Sequence, residues 1–315
     1  MSRYDKLYGM LDVGVPGVSR IIYCAKSGSE TAKYRSGGIA RWDHLVNTLT
    51  DAYNAAKTGR NDVILLSPDS HSQSSAFTWA KNMTHLVGAY PSDAITSHRS
   101  RIGHSANFTP FFTISGYGNL FKGIYWMHGR GSATNTTGIS ITGNRNTFVN
   151  CHFGGPFNDT EASTEGYALV NVNAQEITFK NCVLGADTID STTTTVVKFG
   201  SDSTRVWFDN CYFLLRATGA DPVFINTADG GGNRHYFFKE CHFINFGTST
   251  MTLGIKDDYA GVEGTGVKYH FTAGCSFTGV TDVCTTGRDE YTFVALSAAT
   301  TTPNAMGLVG SYEYT

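Results

Sequence analysis

Charge is scarce in this chain of 315 residues: only 16% are Asp, Glu, Lys or Arg, and 24 basic against 26 acidic residues leave a net charge of −2. Such a surface gives no electrostatic hold on nucleic acid or on an anionic membrane, so neither is expected as a partner. No apolar run approaches the 18 residues that a membrane-spanning helix needs, and Met1-Ser-Arg-Tyr-Asp-Lys6 carries no apolar signal-peptide region. Synthesis and folding in the cytoplasm, without a signal peptide, are therefore expected. The seven cysteines include no CxxC pair, so no metal and no cofactor is expected. Helical spacing is nearly absent too, confined to Asp43 to Ala56, where Leu45, Val46, Leu49, Tyr53 and Ala56 fall on one face and Gly59 follows.

What is present instead is one short phrase written five times. It reads Phe148-Val-Asn-Cys151-His-Phe153, Phe179-Lys-Asn-Cys182-Val-Leu184, Phe208-Asp-Asn-Cys211-Tyr-Phe213, Phe238-Lys-Glu-Cys241-His-Phe243 and, with one residue more, Phe271-Thr-Ala-Gly-Cys275-Ser-Phe277. The cysteines are 31, 29, 30 and 34 residues apart, a period that marks a repeat architecture. Apolar and polar residues alternate through each copy, and a second β-prone run precedes it: Ile139-Ser-Ile141, Leu169-Val-Asn-Val172, Val196-Val-Lys-Phe199 and Val223-Phe-Ile225.

Strands that repeat about every 30 residues without intervening helices fit an all-β solenoid, a parallel β-helix in which each strand pairs with its counterpart one coil on. Equivalent residues then stack about 4.8 Å apart. The phenylalanines that open the phrase, the five cysteines and the residues Phe153, Leu184, Phe213, Phe243 and Phe277 form inward columns. The cysteines are expected as buried free thiols, packed as small hydrophobes, while Cys24 and Cys284 remain unassigned. Asn150, Asn181 and Asn210 fall at the bend after the first strand, where asparagine tolerates left-handed backbone; Glu240 and Gly274 interrupt that asparagine series.

This phrase, with its asparagine series and stacked aromatic and aliphatic columns, resembles the coils of the pectate-lyase-like right-handed β-helix superfamily over roughly residues 62 to 300. The resemblance implies the fold. The superfamily holds lyases, hydrolases, phage tailspikes and non-catalytic virion proteins, so it does not imply an activity.

Taken in order, residues 1–40 are expected to be an entry segment or attachment arm with a strand near Ser19 to Cys24. Residues 41–300 should form the β-helix, opened by a capping helix over 43–56 that covers the first coil. Tyr90 to Asn107 reads as a projecting loop, Gly154 to Gly166, Gly185 to Thr195 and Ala217 to Arg234 as excursions between coils, and residues 301–315 as a tail.

Chemistry on such a fold needs groups on outward columns of adjacent coils. Two positions before the cysteine these are Val149, Lys180, Asp209 and Lys239, which read as a surface charge ladder. One position after it stand His152, Val183, Tyr212, His242 and Ser276, and four before it Thr147, Thr178, Trp207 and Phe237. Loop pairs such as Asp187/Asp190, Asp159/Glu161 and Asp257/Asp258, and Asp69 with His71, read as solvated acids rather than catalytic pairs. No catalytic residue is assigned; if the chain is an enzyme, Asp209, Lys239 and His242 are its candidate catalytic set.

Trp207, Tyr212, Phe237 and His242 are expected to make one outward aromatic patch that binds a partner protein or a glycan. The functional expectation is a non-enzymatic structural virion protein, such as a phage capsid decoration or fibre component. It would be a homo-oligomer, for which a trimer is one arrangement, with other virion or capsid proteins and a cell-surface glycan as candidate partners. The alternative is a polysaccharide lyase, glycoside hydrolase or tailspike depolymerase.

Overall fold

The computed structural model describes residues 20–26, 45–89, 100–129, 131–227, 234–257, 267–272, 274–284 and 291–293. The chain winds as a right-handed parallel β-helix. Among the described residues, three sheets of 11, 8 and 8 strands run along it, and their strands pair in parallel with their counterparts on neighbouring coils. Sheet 1 carries the first strand of the repeated phrase, such as Thr147–Val149 and Thr178–Lys180. Sheet 2 carries its second strand, such as His152–Gly154 and Tyr212–Leu215. Sheet 3 carries the run that precedes it, such as Thr137–Ile141 and Ala168–Val172.

The register follows the repeat. Phe121, Phe148, Phe179, Phe208, Phe238 and Phe271 pair in succession, and their rings stack at 5.1, 4.9, 4.7, 5.1 and 4.8 Å between centroids. That spacing is the coil rise, so the stacking is built into the pairing. All six rings are buried in one continuous core.

The five cysteines of the phrase are free and buried, and they do more than fill space. Each thiol lies 3.4 or 3.5 Å from the carbonyl oxygen of the phenylalanine one coil earlier: Cys151 on Phe121, Cys182 on Phe148, Cys211 on Phe179, Cys241 on Phe208 and Cys275 on Phe238. A thiol is apolar enough for the core and is still a weak donor. Burial pushes the Cys151 and Cys211 thiols well above their ordinary range.

Helix α1 is Leu49–Ala55, shorter than the expected 43–56. Thr48 caps it, accepting from the Asp51 amide at 3.0 Å and donating to the Asp51 carboxylate at 2.7 Å, and this reciprocal cap fixes the first turn. Leu45–Val46, expected as its first apolar pair, is instead a strand beside Tyr23–Cys24 in sheet 1. Leu49, Ala52 and Ala56 reach the core, and Lys81 closes the helix by donating to the Ala56 carbonyl at 2.6 Å.

Ser100–His104, expected within a loop, is a strand of sheet 2. Its Ser100, Ile102 and His104 are buried and Arg101 and Gly103 are half-buried, so the alternation was present but masked by polar residues. Of the expected arm, Ile21–Cys24 belongs to sheet 1; residues 1–19, 27–44 and 301–315 lie outside the described residues. Cys24 is buried in the core, and Cys284 is half-buried in sheet 3.

Native protein treated with iodoacetamide should therefore label none of Cys24, Cys151, Cys182, Cys211, Cys241 and Cys275, and label all of them after unfolding. Mass spectrometry of the two digests checks this, and rapid native labelling of three or more would refute the register. Cys211→Ala removes a buried sulfur and its bond to Phe179, and should cost about 1–3 kcal/mol.

Acid should also weaken the fold. His85 is buried, accepts from the Leu120 amide on Nδ1 at 3.0 Å and faces Asn61 with Nε2; burial holds its pKa down at about 4. His128 is held at about 3, by burial and then by His104. The unfolded chain binds more protons below about pH 6.5, so stability is full above that value and falls as pH drops towards 4. His85 alone should account for on the order of 3 kcal/mol, and urea titrations at pH 7 and 4 measure the loss.

Candidate functional site

The described outward faces separate the expected site residues into groups. On sheet 1, Trp207 pairs with Phe237 and Phe237 with His270. Trp207 stacks on Phe237 at 3.9 Å and 9°, and Phe237 on His270 at 4.7 Å and 13°. His235 closes the group, its Nδ1 2.9 Å from His270 Nε2. Trp207 is 47% exposed while the other rings are half-buried. Burial, then the neighbouring His235 and Lys268, holds His270 below the ordinary histidine range.

Tyr212 and His242 lie on sheet 2, paired with each other across coils at a ring distance of 5.0 Å. Asn210 and Glu240, both left-handed at φ 52, turn the chain between the two sheets, so outward positions before and after them face different directions. The four aromatic candidates thus form two pairs on two faces rather than one patch. His242 is engaged with Ser276, Nδ1 to Oγ 2.8 Å.

The same bend divides the candidate catalytic set. Asp209 and Lys239 pair on sheet 1 with 3.4 Å between carboxylate and ammonium, whereas His242 stands on sheet 2. Both charged groups are well solvated, at 33% and 53% exposure, so the pair acts as a surface ion pair of small energetic weight. A more extensive ladder lies at the other bend, between sheets 3 and 1: Glu176 meets Arg145 at 2.6 Å and Arg205 at 2.9 Å. On sheet 3 the outward column runs Thr113, Ser140, Asn171, Lys198, Asn226 and Lys256. Among the described residues, no outward column places two carboxylates on adjacent coils, and no group of three His, Cys, Asp or Glu is arranged to hold a metal.

Asp69 and His71 do meet chemistry-bearing partners. Ser67 Oγ donates to Asp69 at 2.5 Å and lies 3.2 Å from His71 Nε2, while His71 Nδ1 faces Cys24 Sγ at 3.9 Å. A thiol beside an imidazole suggests a nucleophile and its base. Burial, then the charges of Asp51 and Asp69, pushes the Cys24 thiol up to about 12, and burial lowers His71. The thiol stays protonated, and the cluster is a buried polar joint of the first coil.

Sequence reading missed His270 because the extra residue before Cys275 upsets counting back from cysteine, and counting from Phe271 puts His270 directly below Phe237; His235, two residues before Phe237, lies ahead of the repeated phrase. The sheet 3 column was equally legible from alternation in runs already identified as strands.

Because Trp207 stands outside the core, Trp207→Ala should shift stability by no more than about 1 kcal/mol, whereas Trp126→Ala, fully buried, should cost about 3–5 kcal/mol. Paired denaturant curves measure the contrast; equal losses would mean that the ring column supports the fold.

No protein-family model matches the sequence, and no curated protein matches it. Among solved structures, a pectin methylesterase in complex with hexasaccharide VII aligns with a TM-score of 0.52 at 12% identity, covering 90% of this chain and 91% of that one. The pectin methylesterase from Aspergillus niger, in deglycosylated form, aligns at 0.51 and 13% identity, covering 94% and 92%. Geobacillus virus E2 ORF18 aligns at 0.43 and 14% identity over 78% of this chain and 57% of that one. No helix among the described residues is long and apolar enough to cross a membrane. The chain is similar to the pectin methylesterases in the path of its parallel β-helix, and the likeness is one of fold alone.

Proposed function

We propose that the chain is a non-enzymatic structural protein of a virus particle, a capsid decoration or fibre component that uses the β-helix as a rigid scaffold for protein contacts. The observation that carries this reading is the Trp207, Phe237 and His270 column on the outside of sheet 1. Stacking consumes the ring faces between Trp207, Phe237 and His270, the remaining face of Trp207 is turned towards Thr178, and the ring edges are left outward. A sugar seeks a free aromatic face, while a protein surface can bury edges, so the column suits a protein partner better than a glycan.

Hydrolysis of a glycoside needs two carboxyl groups roughly 5–9.5 Å apart across the bond, and the described outward columns supply Asp209 with a lysine instead. This supports the structural reading over the enzymatic one. A homo-oligomer, with a trimer as one arrangement, is part of the proposal, since a second copy offers the same apolar column.

Two measurements test it. Sedimentation and co-purification with particles should show association that Trp207→Ala combined with Phe237→Ala weakens at least about tenfold, with thermal stability nearly unchanged. Incubation with neutral and anionic polysaccharides should release neither reducing ends nor unsaturated products. Turnover that disappears in Asp209→Ala, Lys239→Ala or His242→Ala would overturn the reading in favour of a lyase or hydrolase.

A further inference from the structure

Arg60, Arg145, Arg205 and Arg216 each sit against a carboxylate, on Asp62, Glu176, Glu176 and Asp190 respectively. Arg101 does not. It stands on the outer face of sheet 2, half-buried, with its Nε out of contact with water and without an acceptor among the described residues. Its guanidinium lies over the Tyr125 ring of the next coil, 5.8 Å from the centroid. Tyr125 stacks in turn on His152 at 4.4 Å and 5°, and meets Phe157 edge-on. Gly154 makes room for this stack, since a Cβ there would come within 2.4 Å of Tyr125 Cε2.

A guanidinium is charged at any accessible pH, and its donors are matched to oxyanions in a fixed fork. Withdrawing such a donor from water without supplying an acceptor is unfavourable. The group is nevertheless held against the ring stack of Tyr125 and His152. Asp187, whose charge acts on Tyr125, forms no ion pair with Arg101 among the described residues.

We propose that Arg101 is a receptor for a carboxylate carried by a protein partner that docks along the outer face of sheet 2. Two features favour an acidic side chain over an acidic sugar. Both faces of Tyr125 are occupied, one by Arg101 and one by His152, so no ring face is left for a sugar. Met127, on the same strand two residues on, is an apolar knob 43% exposed. Beside it Gly103 leaves a shallow hollow, where the nearest atom to a Cβ would be the Met127 carbonyl oxygen at 3.8 Å. A charge receptor next to an apolar knob is the layout of a protein contact. This site is on a different sheet from the Trp207 column and does not depend on it.

The test is a titration of the full chain, labelled on arginine side chains and methionine methyls, followed by NMR at constant ionic strength. The probes are acetate, the dipeptide acetyl-Leu-Glu-amide and galacturonate. Saturable movement of the Arg101 Nε–H and Met127 methyl signals is expected, with the dipeptide binding more tightly than acetate and Arg205, already paired, hardly moving. Arg101→Lys should weaken the dipeptide about tenfold or more by losing the fork. Arg101→Met, which keeps the stem packed on Tyr125, should remove the Met127 response while the protein remains folded. Linear, unsaturated shifts shared by Arg101 and Arg205 would overturn the site. Tighter binding of galacturonate than of the dipeptide would overturn the protein partner and assign the site to a sugar acid. Loss of particle association in the Trp207 and Phe237 variants, or its absence, leaves this titration unaffected.

Discussion

Each coil passes through three sheets without breaking the pairing between coils, and at two of its three bends a left-handed residue recurs. At the bend between sheets 1 and 2 these are Gly123, Asn150, Asn181, Asn210, Glu240 and Gly274, with φ of 65, 50, 52, 52, 52 and 93°. At the bend between sheets 3 and 1 they include Gly118, Arg145, Glu176 and Arg205, with φ of 67, 59, 59 and 52°. Left-handed backbone is unfavourable for a residue with a Cβ, by roughly 1–2 kcal/mol, and least so for Asn and Gly. The stack offsets this cost because the bend keeps its main-chain bonds. The amides of Gly123, Asn150, Asn181 and Asn210 donate to Val149, Lys180, Asp209 and Lys239 one coil on, at 2.8–3.0 Å. Asn210 also donates its side-chain amide to Asn181 at 3.0 Å.

The composition follows from that constraint. A coil that turns at a fixed residue brings the same position inward on every turn, so like sits on like: phenylalanine over phenylalanine at the coil rise, cysteine over cysteine below the bend. The thiol suits its place because the bend leaves a phenylalanine carbonyl within its reach. Where the repeat departs from the phrase, as at Ile124, the position remains inward and apolar, and Gly123 supplies the turn.

The same regularity that fixes the interior leaves the outward positions unconstrained by packing, which is where binding chemistry is found on any repeat scaffold. Here those positions carry hydroxyls, amides, lysines, two stacked aromatic groups on sheet 1 and sheet 2, and an arginine held against a tyrosine. None of the described columns concentrates acids. A scaffold of this kind presents contacts along its length rather than a single cleft, and the two surfaces described above differ in chemistry, one apolar with imidazoles and one built round a single cation.

The period of the cysteine phrase and the alternation within it determined, from sequence alone, the parallel β-helix, the inward columns, the burial of the thiols and the place of the turn at Asn150, Asn181 and Asn210. Stacking is nearest-neighbour, so local pattern is enough to give it. The sequence could not tell that Leu45 and Val46 would leave the helix for a strand, because their choice depends on a partner strand at Tyr23 and Cys24 and on the cap that Thr48 and Asp51 form. It could not separate Trp207 and Phe237 from Tyr212 and His242, because residues five apart in the chain point along diverging directions only once the bend between them has its angle. It could not single out Arg101, whose neighbour Tyr125 lies on the next coil and whose want of a carboxylate among the described residues is a property of the surrounding space. Inward positions repeat their surroundings from coil to coil and are legible in the chain; outward groups take their meaning from bends and neighbours that only the folded coil brings together.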